Sequence, residues 1–125
     1  MPMRAFPHTV TAEDTAAEIG SGDLDVLATP RLITWCERAA FEVCKQNVDS
    51  DHTTVGTTIK MEHIKGSPVG AAITVNCAEP INDGRRLVCH VTVTDAEGDE
   101  IARGEVHRAV VDPDRFMSKC HKPVH

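Results

Sequence analysis

Residues 28–47 read ATPRLITWCERAAFEVCKQN, and residues 55–63 read VGTTIKMEH. In the first stretch Leu32, Cys36, Ala39, Ala40 and Val43 recur at helical spacing. Arg31, Thr34, Arg38, Glu42 and Lys45 fall on the opposite side. Pro30 suits the first helical position, where its missing N–H has no intrahelical partner. Thr29 stands where a cap belongs, and the spacing ends the helix near Gln46-Asn47. Glu37 breaks the charge pattern. It lies between Ile33, Ala40 and Cys44 on the helical wheel, at the edge of the apolar face. In the second stretch the period drops to two, and Val55, Thr57, Ile59, Met61 and His63 share one face.

Outward toward the C-terminus the two-residue period continues. Gly66-Ser67-Pro68 makes a turn, after which Val69, Ala71, Ile73, Val75 and Cys77 alternate. Asn82-Asp83-Gly84 is a hairpin signal. Leu87, Cys89, Val91 and Val93 then alternate against Arg86, His90, Thr92 and Thr94. Ala96-Glu97-Gly98-Asp99 turns again, and Ala102, Gly104, Val106, Arg108 and Val110 share a face. Asp112-Pro113 ends that strand before a short helical turn through Phe116. Toward the N-terminus, Phe6 to Val10 reads as a short strand. Thr11 with Glu13 and Asp14 reads as a helix start, and Gly20-Ser21-Gly22-Asp23 as a loop.

One long helix and about five strands in an antiparallel meander give an α+β class. The long strands need cover on one face, and only the long helix can supply it. A central helix wrapped by a curved antiparallel sheet is the hotdog arrangement, although an α+β sandwich shares the pattern. The 125 residues suit a single domain over 1–125, with a peripheral tail from about residue 113.

The aromatic residues are Phe6, Trp35, Phe41 and Phe116, and the net charge is -6. A single-stranded nucleic-acid binder needs stacking rings in a basic groove, so that class is excluded. No run is long enough to span a bilayer, and the start lacks a secretory apolar segment. A cytoplasmic location without a membrane partner is expected. The five cysteines, Cys36, Cys44, Cys77, Cys89 and Cys120, are odd in number and form no C-x-x-C pair. They read as reduced, buried apolar residues. Cys120, His121 and His125 sit in a charged tail without an evident fourth metal ligand. No metal or cofactor is expected.

Seven segments occur together in register. They are Ala28-Thr29-Pro30, Trp35-Cys36-Glu37, Val55-Gly56-Thr57, His63, Ser67-Pro68-Val69-Gly70, Gly84-Arg85-Arg86-Leu87 and His107-Arg108-Ala109-Val110. In this order and spacing the chain resembles the fluoroacetyl-CoA thioesterase-like family of hotdog proteins, from about Thr9 to Phe116. The resemblance implies a catalytic group of Thr29, Glu37 and His63. It implies that the backbone of Gly56 holds substrate and that Arg108 belongs to the site. It also implies a homodimer, with a tetramer as the alternative, and a site at the dimer interface. Fluoroacetate-selective members carry bulky aromatics ahead of the threonine. Here that stretch is Asp23-Leu24-Asp25-Val26-Leu27, so cleavage of a small acyl-CoA thioester is implied without that selectivity.

These residue types suit the chemistry. Thioester hydrolysis needs an activated water or a nucleophile, and a donor for the developing oxyanion. His63 can take a proton near neutral pH. Glu37 can orient His63, or act as base or nucleophile. Thr29 can position the attacking species, and Gly56 lets the backbone approach the carbonyl. Each also has a plain structural reading: Thr29 as a cap, Glu37 as a solvated charge, His63 as a bonded core residue, Gly56 as a bulge, Arg108 as half of an ion pair. Arg85, Arg86, Lys60, Lys65 and Arg103 are candidates for the CoA phosphates. A noncatalytic acyl-CoA-binding dimer and an acyl-CoA hydratase or dehydratase on the same fold are the alternative functions. The latter would offer an Asp–His pair in a Gly-rich helix context, which this sequence lacks.

Overall fold

The helical spacing over residues 28–47 becomes α2 (Thr29–Cys44), and a 3-10 turn (Lys45–Asn47) carries it to Asn47. Before it come β1 (Arg4–Thr9), a 3-10 turn (Ala12–Asp14) and the single-turn helix α1 (Ala16–Ile19). After it come β2 (Thr53–His63), β3 (Ala72–Cys77), β4 (Ile81–Asp83), β5 (Arg86–Asp95), β6 (Glu100–Val111) and α3 (Pro113–Cys120). The computed structural model describes residues 3–84 and 86–121. Arg85 and His125 lie outside them. Among the described residues no helix is long and apolar enough to cross a membrane.

The strands form one antiparallel sheet in the order β1-β3-β5-β6-β2, with β4 paired to β5. This is the expected hotdog arrangement. Among the described residues the sheet has six strands, because the segment read as an Asn82-Asp83-Gly84 turn also pairs, with Asn82 opposite Leu87. The sheet is also not a plain meander. β2 sits beside β6 at the far edge, while β3 lies between β1 and β5. The segment 64–71 makes this crossing. It is tied down by bonds from Ile64 N to Ile101 O (2.7 Å) and from Leu27 N to Ser67 O (2.8 Å). Consecutive strands separated this way are invisible to periodicity, which reports the face of each strand but not its neighbour.

The core lies between α2 and the concave face of the sheet. Leu32, Cys36, Ala39, Ala40, Val43 and Cys44 are buried on the helix, against Ile73, Val75, Cys89, Val91, Val93 and Val106. Each buried aliphatic side chain stabilises by about 1.5–3 kcal/mol. The small helical residues let the sheet come close. His8 of β1 stacks on Trp35 with ring centroids 4.3 Å apart, which pins the opening strand to the helix. Four of the five cysteines are buried as expected, while Cys120 is exposed. Burial pushes the Cys36 thiol up to about 12, so it is a core residue rather than a nucleophile.

β2 carries one further departure. Gly56 pairs with Arg108 and Thr58 with His107, so the register shifts by one at Thr57. The bulge swaps faces: Thr54 is buried before it, whereas the half-buried Ile59, Met61 and His63 follow after it. The single alternating face read through Val55, Thr57 and Ile59 is therefore broken. A bulge of this kind re-aims side chains locally.

β2 and β6 also approach closely at Gly104, where an added Cβ would strike the Lys60 carbonyl oxygen. Gly104→Ala is expected to destabilise the fold by on the order of 3 kcal/mol, as overpacked sites against backbone do. Urea unfolding measures it, and an unchanged midpoint would show that the two strands separate freely there.

Candidate active site

Thr29 opens α2, but it does not cap it. The N-cap is Ala28, and no side chain caps this helix end. The Thr29 hydroxyl is turned instead to β2, where Oγ1 lies 2.8 Å from His63 Nδ1. The expected cap role is thus replaced by a contact over 34 residues of sequence. The first-turn N–H groups of α2 are left free of intrahelical partners, as at any helix start, and favour negative charge nearby.

His63 is half-buried, and burial lowers its pKa from the ordinary 6.5. Desolvation disfavours the imidazolium and so favours the neutral ring, against a smaller opposing effect of the Lys65 backbone. Its other nitrogen, Nε2, is buried and bonded to nothing among the described residues. Thr29 and His63 border a cleft of about 480 Å³, whose wall includes Ala16, Val26, Leu27 and Ile64. These four are aliphatic, and Ser21, Pro30, Lys65 and Gly66 complete the lining. The segment supplying it is fixed by bridges from Thr15 to Leu27 and from Val26 to Pro68.

Glu37 belongs to a second group of residues. Its Oε2 lies 3.5 Å from Arg108 Nη1, and it fills the space over Gly56 where any Cβ would meet it. Arg108 is 8% exposed at its side chain and Glu37 42%. The buried guanidinium is satisfied mainly by Thr54: Nε donates to the hydroxyl at 2.8 Å and Nη2 to the carbonyl at 3.0 Å. It also lies over the Phe41 ring, 5.3 Å from the centroid. A buried cation without such partners would cost several kcal/mol. Thr54 and Phe41 were not legible as site residues. Only the need of a buried arginine for acceptors points to Thr54, and that burial is a tertiary fact.

The five residues singled out in the sequence therefore fall into two groups within one chain. Thr29 meets His63, while Glu37 meets Gly56 and Arg108. The eight residues from Thr29 to Glu37 rise roughly 12 Å along the helix. The seven from Gly56 to His63 span roughly 20 Å of strand. No hydrogen bond joins the groups among the described residues, so within one chain Glu37 does not orient His63. Three of the cations proposed for phosphate are engaged, whereas the exposed Arg86 meets no carboxylate at ion-pair distance among the described residues. Lys60 faces Glu105 at 3.8 Å, Lys65 meets Asp95 and Asp99 at 2.8 Å each, and Arg103 meets Glu100 at 3.3 Å.

Comparison with known proteins follows the same line. A family model described as fluoroacetyl-CoA-specific thioesterase matches residues 10–114. The fluoroacetyl-CoA thioesterase of Streptantibioticus cattleyicolor is 30% identical over 98 residues, covering 78% of this chain and 70% of that protein. A solved structure of the fluoroacetyl-CoA thioesterase FlK superposes with a TM-score of 0.81 at 25% identity, covering 98% of each chain. A thioesterase superfamily member from Thermus thermophilus gives 0.85 at 19% identity, over 93% of this chain and 85% of that one, a likeness of fold.

His63 is expected to titrate below 6.5 when its ring carbons are followed by NMR. The unfolded chain then binds more protons below that value, so His63 withdraws stability as pH falls from neutral. A midpoint at or above 6.5 would mean a solvated ring or an unseen carboxylate partner.

Proposed function

The chain belongs to the fluoroacetyl-CoA-specific thioesterase family, and from that premise we propose that it hydrolyses a small acyl-CoA thioester to the free acid and CoA, at sites shared between two copies. The observation that carries this reading is the Thr29–His63 pair at 2.8 Å on the rim of a cleft walled in part by aliphatic side chains. A neutral imidazole beside a hydroxyl, at the free N–H groups of a helix start, suits addition to a carbonyl. In this reading water adds to the thioester carbon and its proton passes to the base formed by Glu37 and His63. The carbon–sulfur bond then breaks and CoA leaves as the thiol. Thr29 positions the attacking species, and the Gly56 backbone approaches the carbonyl. Arg108 holds the Glu37 carboxylate in place.

A second copy resolves the separation between the two groups. β2 pairs only with β6, so its other edge has no strand beside it among the described residues. An exposed edge of this length invites pairing with another chain. Antiparallel pairing of two β2 strands about a two-fold axis between Ile59 and Lys60 sets Gly56 opposite the other copy's residue 63. Each Glu37–Gly56–Arg108 group then faces a Thr29–His63 group across the interface. The cleft wall of Ala16, Val26, Leu27 and Ile64 fits an aliphatic acyl group and supplies no ring to select fluoroacetate.

The test is thiol release from a panel of acyl-CoA thioesters. Glu37→Ala and His63→Ala are each expected to lose at least about 100-fold in turnover, the range for acid–base groups. Refolded as a mixture, the two variants should regain about a quarter of wild-type turnover, since half the dimers are mixed and each carries one whole site of two. No recovery would place all the groups of a site in one chain. Wild-type turnover by either variant would remove the site assignment.

A further inference from the structure

We infer that the Lys65–Asp95–Asp99 cluster is a clamp that positions His63 against Thr29. Its three members are positioning residues, which set the geometry of the site without touching the reacting atoms. This inference rests on the reading of Thr29 and His63 as parts of a hydrolytic site. His63 is the last residue of β2 and pairs with Ala102 of β6. The sheet alone holds it weakly. β2 lies at the edge of the sheet, and the ends of strands open at the least cost in free energy. Just beyond His63, Ile64 is 51% exposed, and Gly66 brings no side chain to anchor the chain. Ile64 N and Lys65 N share one acceptor, Ile101 O, at 2.7 and 3.2 Å.

Lys65 supplies a further restraint. Its Nζ donates to Asp95 Oδ2 and to Asp99 Oδ2 at 2.8 Å each, across 30 and 34 residues of sequence. The acceptors are themselves built in. Asp95 ends β5, and its side chain is 10% exposed. Its Oδ1 accepts from Glu97 N at 3.0 Å and from Asp99 N at 2.9 Å. These bonds close the β5–β6 turn, in which Gly98 takes a φ of +84° that a side chain would disfavour. One carboxylate thus holds the turn with one oxygen and Lys65 with the other. The Lys65 contact is the chief reason that the Asp95 carboxyl lies below its usual range. At its other end Lys65 borders the cleft together with Thr29 and His63. Its backbone favours the protonated imidazole, against the larger effect of burial. An exposed ion pair adds little to stability. This one joins a closed turn to a residue two places from His63, so its effect falls on geometry. A displacement of about 1 Å at a reacting group lowers a rate by on the order of 100-fold.

The experiment compares Lys65→Met, Asp95→Asn/Asp99→Asn and all three changes together. Asparagine keeps a carbonyl oxygen for Glu97 N and Asp99 N, so the turn survives, and urea unfolding checks that each variant is folded. In steady-state thiol release each variant is expected to lose about tenfold in kcat with KM within about twofold, and the triple variant no more than either, as members of one unit do. Charge acting alone gives a different pattern. Removing the cation raises the His63 pKa, whereas freeing it from its carboxylates lowers that pKa. Opposite shifts of this kind, additive losses, a rise in KM alone, or unchanged kinetics each overturn the inference. Nitrogen NMR of the labelled imidazole reads the Thr29–His63 pair without turnover, with Thr29→Val as the reference for an unbonded Nδ1. The clamp variants are expected to move the His63 Nδ1 resonance toward that reference. If the wild type cleaves no thioester, this movement still upholds the clamp, and a resonance unchanged from wild type overturns it.

Discussion

The structure depends on how closely α2 can lie in the curve of the sheet. Cys36, Ala39, Ala40 and Cys44 present a low surface, and all four are essentially without exposure. A bulkier row would lift the helix. The height matters because Glu37 sits on the edge of that same face, directly over Gly56. Interiors are packed to crystal density, so a helix in this position cannot drift without opening voids. The glycine and the small helical residues are two halves of one constraint, which fixes a carboxylate against the backbone of β2.

The same placement holds the other end of the helix. With α2 seated, its first residue reaches the last residue of β2, and Thr29 meets His63. The bulge at Thr57 is needed for both contacts. Without the extra residue the alternation of β2 would put Gly56 and His63 on opposite faces, since they are seven positions apart. With it, Gly56 and His63 both face inward. Charge follows from packing here. Arg108 is buried because β6 runs through the middle of the sheet, and it is tolerable there because Thr54 gives it two acceptors. The remaining nitrogen is directed to Glu37, so the carboxylate is held by a group that is itself held.

Electrostatics outside the site are mostly local. Glu105 collects His107, His90 and Lys60 on the outer face of the sheet, and its carboxyl is held below the usual range chiefly by the His107 contact. Lys65 is shared by Asp95 and Asp99. Such exposed pairs contribute little to stability. Their consequence is to occupy Lys60 and Lys65, two of the cations that the sequence offers to a phosphate.

Much of this was legible from residue order alone. The helix, the alternation in β3 and β5, and the buried cysteines follow from periodicity, which reports how a side chain is oriented relative to its own segment. Glu37 was legible as an anomaly because a charge at the edge of an apolar stripe demands a reason. The rest needed the tertiary structure. The bulge at Thr57, the β2 edge beside β6, and Thr54 as the anchor of Arg108 all depend on which strands are neighbours. So does the replacement of a helix cap by a hydrogen bond to His63, because a hydroxyl at a helix start takes whichever partner the fold brings within reach. The sequence by itself determined where the long helix and the strands run, and singled out the residues that make up the candidate site. Only the tertiary structure decided that one chain divides them into two groups, because a helix advances 1.5 Å per residue and a strand more than twice that.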